Sequence, residues 1–261
     1  MRRLAALLFV LFAAPALPQG FDHSHKAWDA LLKSQVVLIQ GGRASQMNYA
    51  GMARDRTALK AYLGNLSGVT EAEFNGWSRS QRMAFLINAY NAFAVEKILT
   101  RYPELQSIWD FGKVFGNPFK DDYFRLLGRE SHLDRIEHEM LRKPGAYDEP
   151  RVHFAVNCAS IGCPMLREQA YVAERLEQQL EEQAQRFLSD RTRNRVSADG
   201  RLEVSKIFDW FKEDFGSRER YFARYAKLLT DEPGQQKLVA EGKAPISFLE
   251  YDWTLNDVRK R

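Results

Sequence analysis

Residues 78–103, SRSQRMAFLINAYNAFAVEKILTRYP, decide the fold. Ser78 and Gln81 form a capping-box pattern at the start, and Pro103 marks the stop. Between them Met83, Phe85, Leu86, Ile87, Tyr90, Phe93, Val95, Ile98 and Leu99 leave no polar face, so the spacing predicts a buried helix. Asn88 and Asn91 lie three apart on the side of Ala84 and Val95, and therefore inside. A buried amide left unpaired costs about 1–3 kcal/mol. Each asparagine must either tie the helix to neighbouring backbone or face a cleft.

Outward from this helix, the chain reads as helices interleaved with short strands. Upstream, Trp28, Leu31, Leu32 and residues 35–38 predict an amphipathic helix running into a strand that ends at Gly41 and Gly42. Leu59, Tyr62, Leu63 and Leu66 space a further helix. Downstream, residues 108–127 are aromatic-rich with turn signals, compatible with short strands or an irregular loop. Residues 131–147 read as a helix with Leu133, Ile136, Met140 and Leu141 inward and His138 on a flank. A one-stripe surface helix is expected over 172–189, and an Asp199-Gly200 hairpin over 194–204. A helix over 205–216 with Trp210 buried and a strand-like run over 246–257 close the chain. The pattern is that of an α/β (α+β) protein: one domain with the buried helix packed on a small sheet, and no repeat or linker marking a second domain.

The chemistry-bearing stretch is RVHFAVNCASIGCPMLR, residues 151–167, which holds both cysteines and one of the five histidines. Read as a strand, 152–157 turns Val152, Phe154 and Val156 to the core and puts His153 and Asn157 together on the other face. Five extended residues span roughly 16 Å, so His153 does not reach Cys158, and a base for that thiol must come from elsewhere, first from His138. Three readings of the pair stay open: a Cys158–Cys163 disulfide around a four-residue turn, a free reactive Cys158 at a strand end, or metal ligation. The C-x4-C spacing does not match the usual zinc pattern, and the His23-x-His25 pair near a terminus supplies two ligands only, so no metal is assigned.

At the N-terminus, Arg2 and Arg3 precede an apolar run over 4–14 and the small residues Ala14-Pro15-Ala16. This is the pattern of a cleavable signal peptide over 1–16, with cleavage extending to 20 as the alternative, and the globular domain then covers 21–261. The run is too short to span a bilayer, and none later is longer, so a periplasmic or secreted protein that does not span the membrane is expected. An oxidising compartment favours the disulfide among the readings of the cysteines. The net charge of +4 includes Arg2 and Arg3, and the remainder is interleaved with acid, which argues against nucleic acid as a partner. Arg191, Arg193 and Arg195 read as a solvated loop.

The blocks FLINAYNA (85–92), IEH (136–138), HFAVNCASIGCPMLR (153–167), SKIFDWFKEDFG (205–216) and YDWTLND (251–257) resemble the exported bacterial branch of the domain-of-unknown-function 547 family over about 45–257. The resemblance implies a single α/β domain without an established reaction. It also implies an interaction role, since similar plant domains are joined to leucine-zipper segments that this chain lacks. The family pattern falls on Asn88, Asn91, His138, His153, Asn157, Cys158 and Cys163; a second proline that often follows the family's Cys-Pro is Met165 here. Cysteine, histidine and asparagine together are loosely similar to papain-like and transglutaminase-like thiol enzymes, although those place the cysteine at the start of the central helix.

Two functions are therefore weighed. In one, a thiol-dependent hydrolase or transferase acts on peptide or amide bonds, with Cys158, His138, His153 and Asn157 catalytic and Asn88, Asn91 and Glu137 holding substrate. In the other, a non-catalytic protein-interaction domain uses a structural Cys158–Cys163 disulfide to hold a recognition loop. No cofactor is assigned, and the partner is an unspecified peptide or protein.

Overall fold

A computed structural model describes residues 20–112 and 116–259, so the leader expected over 1–16 lies outside the described residues. The chain opens with helix α1 (Lys26–Gln35), which passes directly into strand β1 (Val36–Ile39). Gly41 and Gly42, at φ of 65° and 85°, supply the left-handed turn that brings β2 (Ala44–Met47) back antiparallel, with Val36 opposite Met47 and Ile39 opposite Ala44. Helices α2 (Tyr49–Arg54), α3 (Arg56–Gly68) and α4 (Glu71–Asn75) follow.

Helix α5 (Arg79–Leu99) is the buried centre. Ser78 and Gln81 form the reciprocal capping box, and from Met83 to Leu99 all but one of the side chains are buried. The strands fall into three separate small sheets, one of which α5 meets. Its neighbours are helices and the antiparallel hairpin of β3 (Phe124–Leu126) and β4 (Arg129–Ser131), where Phe93 stacks on Phe124 at 3.8 Å.

Residues 135–141 wind as a π-helix, Arg135–Leu141, in which the Arg142 N–H reaches the Glu137 carbonyl. Leu133, Ile136 and Leu141 are buried as expected. The next segment corrects the sequence reading. Residues 152–157 are not a strand: Pro150–Phe154 is a 3-10 helix with Pro150 at its first turn and the Glu149 carboxylate accepting from the Arg151 N–H. The alternation that mimicked a strand has another cause. Val152, Ala155 and Val156 belong to the main core around α5, whereas Phe154 belongs to a second apolar cluster, so the segment is buried on two sides.

That second cluster is built from α6 (Leu176–Ser189), a three-stranded sheet and short helices. Strands β5 (Arg195–Val196) and β6 (Leu202–Val204) form the expected hairpin, with Gly200 at φ 82°. Helix α7 (Ile207–Trp210) ends early, and α8 (Arg218–Ala223), α9 (Ala226–Leu229) and α10 (Pro233–Ala240) follow. Strand β7 (Ile246–Phe248) pairs parallel with β6. The whole is a mixed α/β fold. Among the described residues no helix is long and apolar enough to cross a membrane.

After β7 the tail turns back across the molecule instead of continuing as a strand. Its backbone pairs with the cysteine loop through Ile161 N–H to Thr254 O and Gly162 N–H to Asp252 O, both 2.8 Å, and with β2 through Met47 N–H to Asn256 O, 2.8 Å. Gly162 permits this close approach: a Cβ would sit 3.0 Å from the Asp252 backbone N and O.

Candidate functional site

A cleft of about 330 Å³ opens where the π-helix, the 3-10 helix, the cysteine loop, α7 and the C-terminal tail converge. The wide turn of the π-helix presents Asp134, Glu137 and His138 to it, residues at helical i, i+3 and i+4 spacing. The 3-10 helix supplies His153, only 3% exposed, stacked on Phe211 with centroids 4.1 Å apart. Thus Cys158, His138, His153 and Glu137 do line one cleft.

Neither imidazole faces a free thiol there. Cys158 and Cys163 are joined as a disulfide, with Cα atoms 6.1 Å apart. The Cys158 sulfur meets the hydroxyls of Ser160 at 3.3 Å and Tyr251 at 3.2 Å. Both imidazoles are engaged elsewhere. His153 Nε2 lies 2.7 Å from Asp214 Oδ2, and its Nδ1 is 4.0 Å from Glu137 Oε1. His138 Nδ1 accepts from the Arg142 guanidinium, which can only donate, so its proton sits on Nε2, 3.5 Å from Asp134 Oδ1.

Arg142 and Asp214 organise this side of the cleft, and the sequence reading assigned neither. Arg142 grips Asp214 through Nε at 2.5 Å and Nη2 at 3.2 Å, and stacks over Phe211 at 4.5 Å. Burial would raise the Asp214 carboxyl, but hydrogen bonds from His153 and Arg142 outweigh it and hold the group at about 2. Opposite, Tyr90 is fully buried against Glu137, and desolvation first, then that carboxylate, keeps its phenol protonated.

The asparagines work beneath the cleft. Asn91 donates from Nδ2 to the Ala155 carbonyl at 2.9 Å and accepts from the Asn157 N–H at 2.8 Å. Asn88 makes the same double bond to Tyr171, at 2.8 and 3.0 Å. Asn157 donates to the Pro164 carbonyl at 2.8 Å and accepts from the Ala159 N–H at 3.0 Å. Both ends of each amide are thus spent on backbone, and His153 and Asn157 point to different neighbours, the alternation that paired them being absent. Ala159 takes φ 63°, which reverses the chain directly after Cys158.

The walls are aromatic. Trp253 lies 4.5 Å from Tyr251, 5.3 Å from Trp109 and 5.8 Å from Trp210, centroid to centroid. Trp210, expected in the core, is 43% exposed, and Trp109 is 37% exposed. Of the arginines read as a solvated loop, Arg193 is mostly buried: it pairs with Asp190 and grips the Ile161 carbonyl behind the cysteine loop. No cluster of three or more His, Cys, Asp or Glu side chains suited to a metal ion occurs among the described residues.

No curated protein and no solved structure matches the chain. Residues 74–188, which carry α5, the π-helix and the cysteine loop, match the family described as "Protein of unknown function, DUF547".

Proposed function

We propose that the protein is exported, to the periplasm or beyond, and there binds a peptide or protein segment in the aromatic cleft. The observation that carries the reading is the convergence of Trp109, Trp210, Trp253 and Phe211 around two carboxylates, Asp134 and Glu137. Exposed tryptophans beside a concave site supply large apolar contact at low entropic cost, and rings next to carboxylates favour a cationic side chain. A segment bearing lysine or arginine fits this chemistry. Export is supported by the leader pattern at the N-terminus and by a disulfide that persists in oxidising compartments.

The test is a titration of tryptophan fluorescence with short peptides differing only in one Lys, Glu or Leu. The lysine peptide should bind most tightly, and Trp210→Ala should weaken it by roughly thirtyfold, the effect of losing one aromatic anchor. Equal affinity for the three peptides, or no change in Trp210→Ala, defeats the reading.

A second reading, a thiol-dependent hydrolase or transferase on peptide or amide bonds, is favoured by Cys158 sharing the cleft with His138, His153 and Glu137. It requires the disulfide to open and an imidazole to turn toward the freed sulfur. Reduced protein should then cleave amide substrates and Cys158→Ala should not; activity that survives Cys158→Ala rejects it.

A further inference from the structure

The two sulfurs of the disulfide occupy unequal surroundings. Both cysteines line the cleft, but Cys158 is half-buried whereas Cys163 is 1% exposed. The Tyr251 hydroxyl lies 3.2 Å from both sulfurs and Ser160 lies nearer Cys158, but Cys163 Sγ has in addition a backbone donor, the Cys158 N–H at 2.9 Å. Burial raises the Tyr251 phenol well above its ordinary value, so this hydroxyl remains a donor. A neutral disulfide sulfur gains little from two such donors. A thiolate gains a great deal, because hydrogen bonds to an ionised acceptor are about twice as strong.

The loop is held by contacts other than the S–S bond as well. Ile161 and Gly162 are bonded to the tail backbone, Arg193 holds the Ile161 carbonyl, and Asn157 ties Pro164. Opening the disulfide therefore leaves Cys163 among its donors. A purely structural crosslink needs neither the exposed sulfur nor the pre-placed donors.

We propose that the Cys158–Cys163 disulfide is a thiol-exchange centre, with Cys158 the sulfur attacked by a thiolate entering the cleft and Cys163 the leaving sulfur. In the first step an incoming thiolate forms a bond to Cys158 Sγ. The Cys158–Cys163 bond breaks, and its electron pair departs on Cys163 Sγ, stabilised by the Cys158 N–H and Tyr251. In the second, another thiolate attacks the substrate sulfur of the mixed disulfide and Cys158 leaves as a thiolate. Two thiols are oxidised to one disulfide, and the protein disulfide is reduced to two thiols, which take their protons from water. The substrate class is a thiol, either a small molecule or a cysteine on a segment held by the aromatic walls; the latter rests on the binding reading above.

The experiment is intact-mass analysis of the full exported chain after timed exposure to glutathione and quenching by alkylation. Reduced glutathione should open the native disulfide roughly tenfold faster than that of the same chain unfolded in urea. With oxidised glutathione, Cys163→Ser should gain one glutathione at Cys158, and Cys158→Ser should react at Cys163 roughly tenfold more slowly. Tyr251→Phe should slow opening by roughly ten- to hundredfold, the range for losing one hydrogen bond to a developing thiolate, while its melting temperature stays close to wild type. Slower opening in the native state than in the unfolded chain, or equal reactivity of the two single-cysteine variants, overturns the proposal. A cysteine-bearing lysine peptide should outpace glutathione. If it does not, the peptide-binding reading fails while the exchange centre, tested by glutathione, stands.

Discussion

Replacing Asn91 by leucine removes the tie between α5 and the backbone that carries the cysteine loop. Leucine keeps the branched shape, with somewhat greater bulk, but offers neither donor nor acceptor, so the Ala155 carbonyl and the Asn157 N–H are both left without their partner. These two residues are 1% and 4% exposed, which bars water from replacing the lost bonds. An orphaned buried polar group costs about 1–3 kcal/mol, and the extra apolar burial returns part of that, leaving a net loss of about 2–5 kcal/mol. For a protein of this size each kcal/mol lowers the melting temperature by about 2–4 °C, so a fall of roughly 4–20 °C is expected in calorimetry. Hydrogen exchange adds a local readout, because the Asn157 amide should lose protection before the rest of the core. Asn91→Asp separates the two bonds: the carboxylate still accepts from Asn157 but repels the Ala155 carbonyl, so its deficit should shrink as acid protonates it. A loss below about 0.5 kcal/mol in Asn91→Leu, with Asn157 still protected, would refute the assignment of this residue to the cleft floor.

Three further outcomes are expected. His25 is held at about 4 by burial, with His23 adding to the effect, so the unfolded chain takes up its proton first as pH falls from about 6.5; stability should drop by roughly 3 kcal/mol between about pH 6.5 and 4, and melting curves of His25→Gln should be flatter across that window. Asp214 is depressed, so its contribution is complete above the unfolded value near 3.8 and is lost as pH falls toward about 2; Asp214→Asn should lack that acid-limb decline, and an unchanged acid limb would count against the His153–Asp214–Arg142 arrangement. Gly162→Ala forces its Cβ against the Asp252 backbone and should cost about 1–3 kcal/mol by chemical denaturation, with loss of exchange protection at Ile161 and Gly162; a silent substitution would show that the tail does not press on the loop.

Features set by local chemistry were legible in the sequence. Helix α5 announced itself through its cap and its lack of a polar face, the 194–204 hairpin through Asp199-Gly200, and the cysteine pair through a spacing that a disulfide can close. Asn88 and Asn91 were placed inside correctly, and of the two roles open to them the backbone tie is what the geometry displays. What could not be read was set by distant partners. Residues 152–157 alternate like a strand because two separate apolar clusters flank them, a property of the assembled protein. The helix expected over 205–216 breaks after Trp210, where Phe211 stacks on His153 and Asp214 pairs with Arg142. Asp214 and Tyr251 meet their partners from 61 and 93 residues away, and no periodicity or motif spacing carries such information. The aromatic blocks around 205–216 and 251–257 were visible as composition, but their convergence on one cleft was not.

The tail that crosses the cysteine loop also sets a schedule. Residues 251–257 meet partners near position 47 and near position 160, so both the first hairpin and the cleft floor stay incomplete until almost the whole chain is available. Contacts this remote in sequence form late in folding. A nascent chain would therefore carry its two sulfurs in an unfinished pocket, without Tyr251 beside them. The same dependence makes the finished cleft sensitive to a cut far from it in sequence: cleavage in the stretch between α10 and β7 would loosen the tail, and with it both the floor and the part of the main core that Leu255 fills.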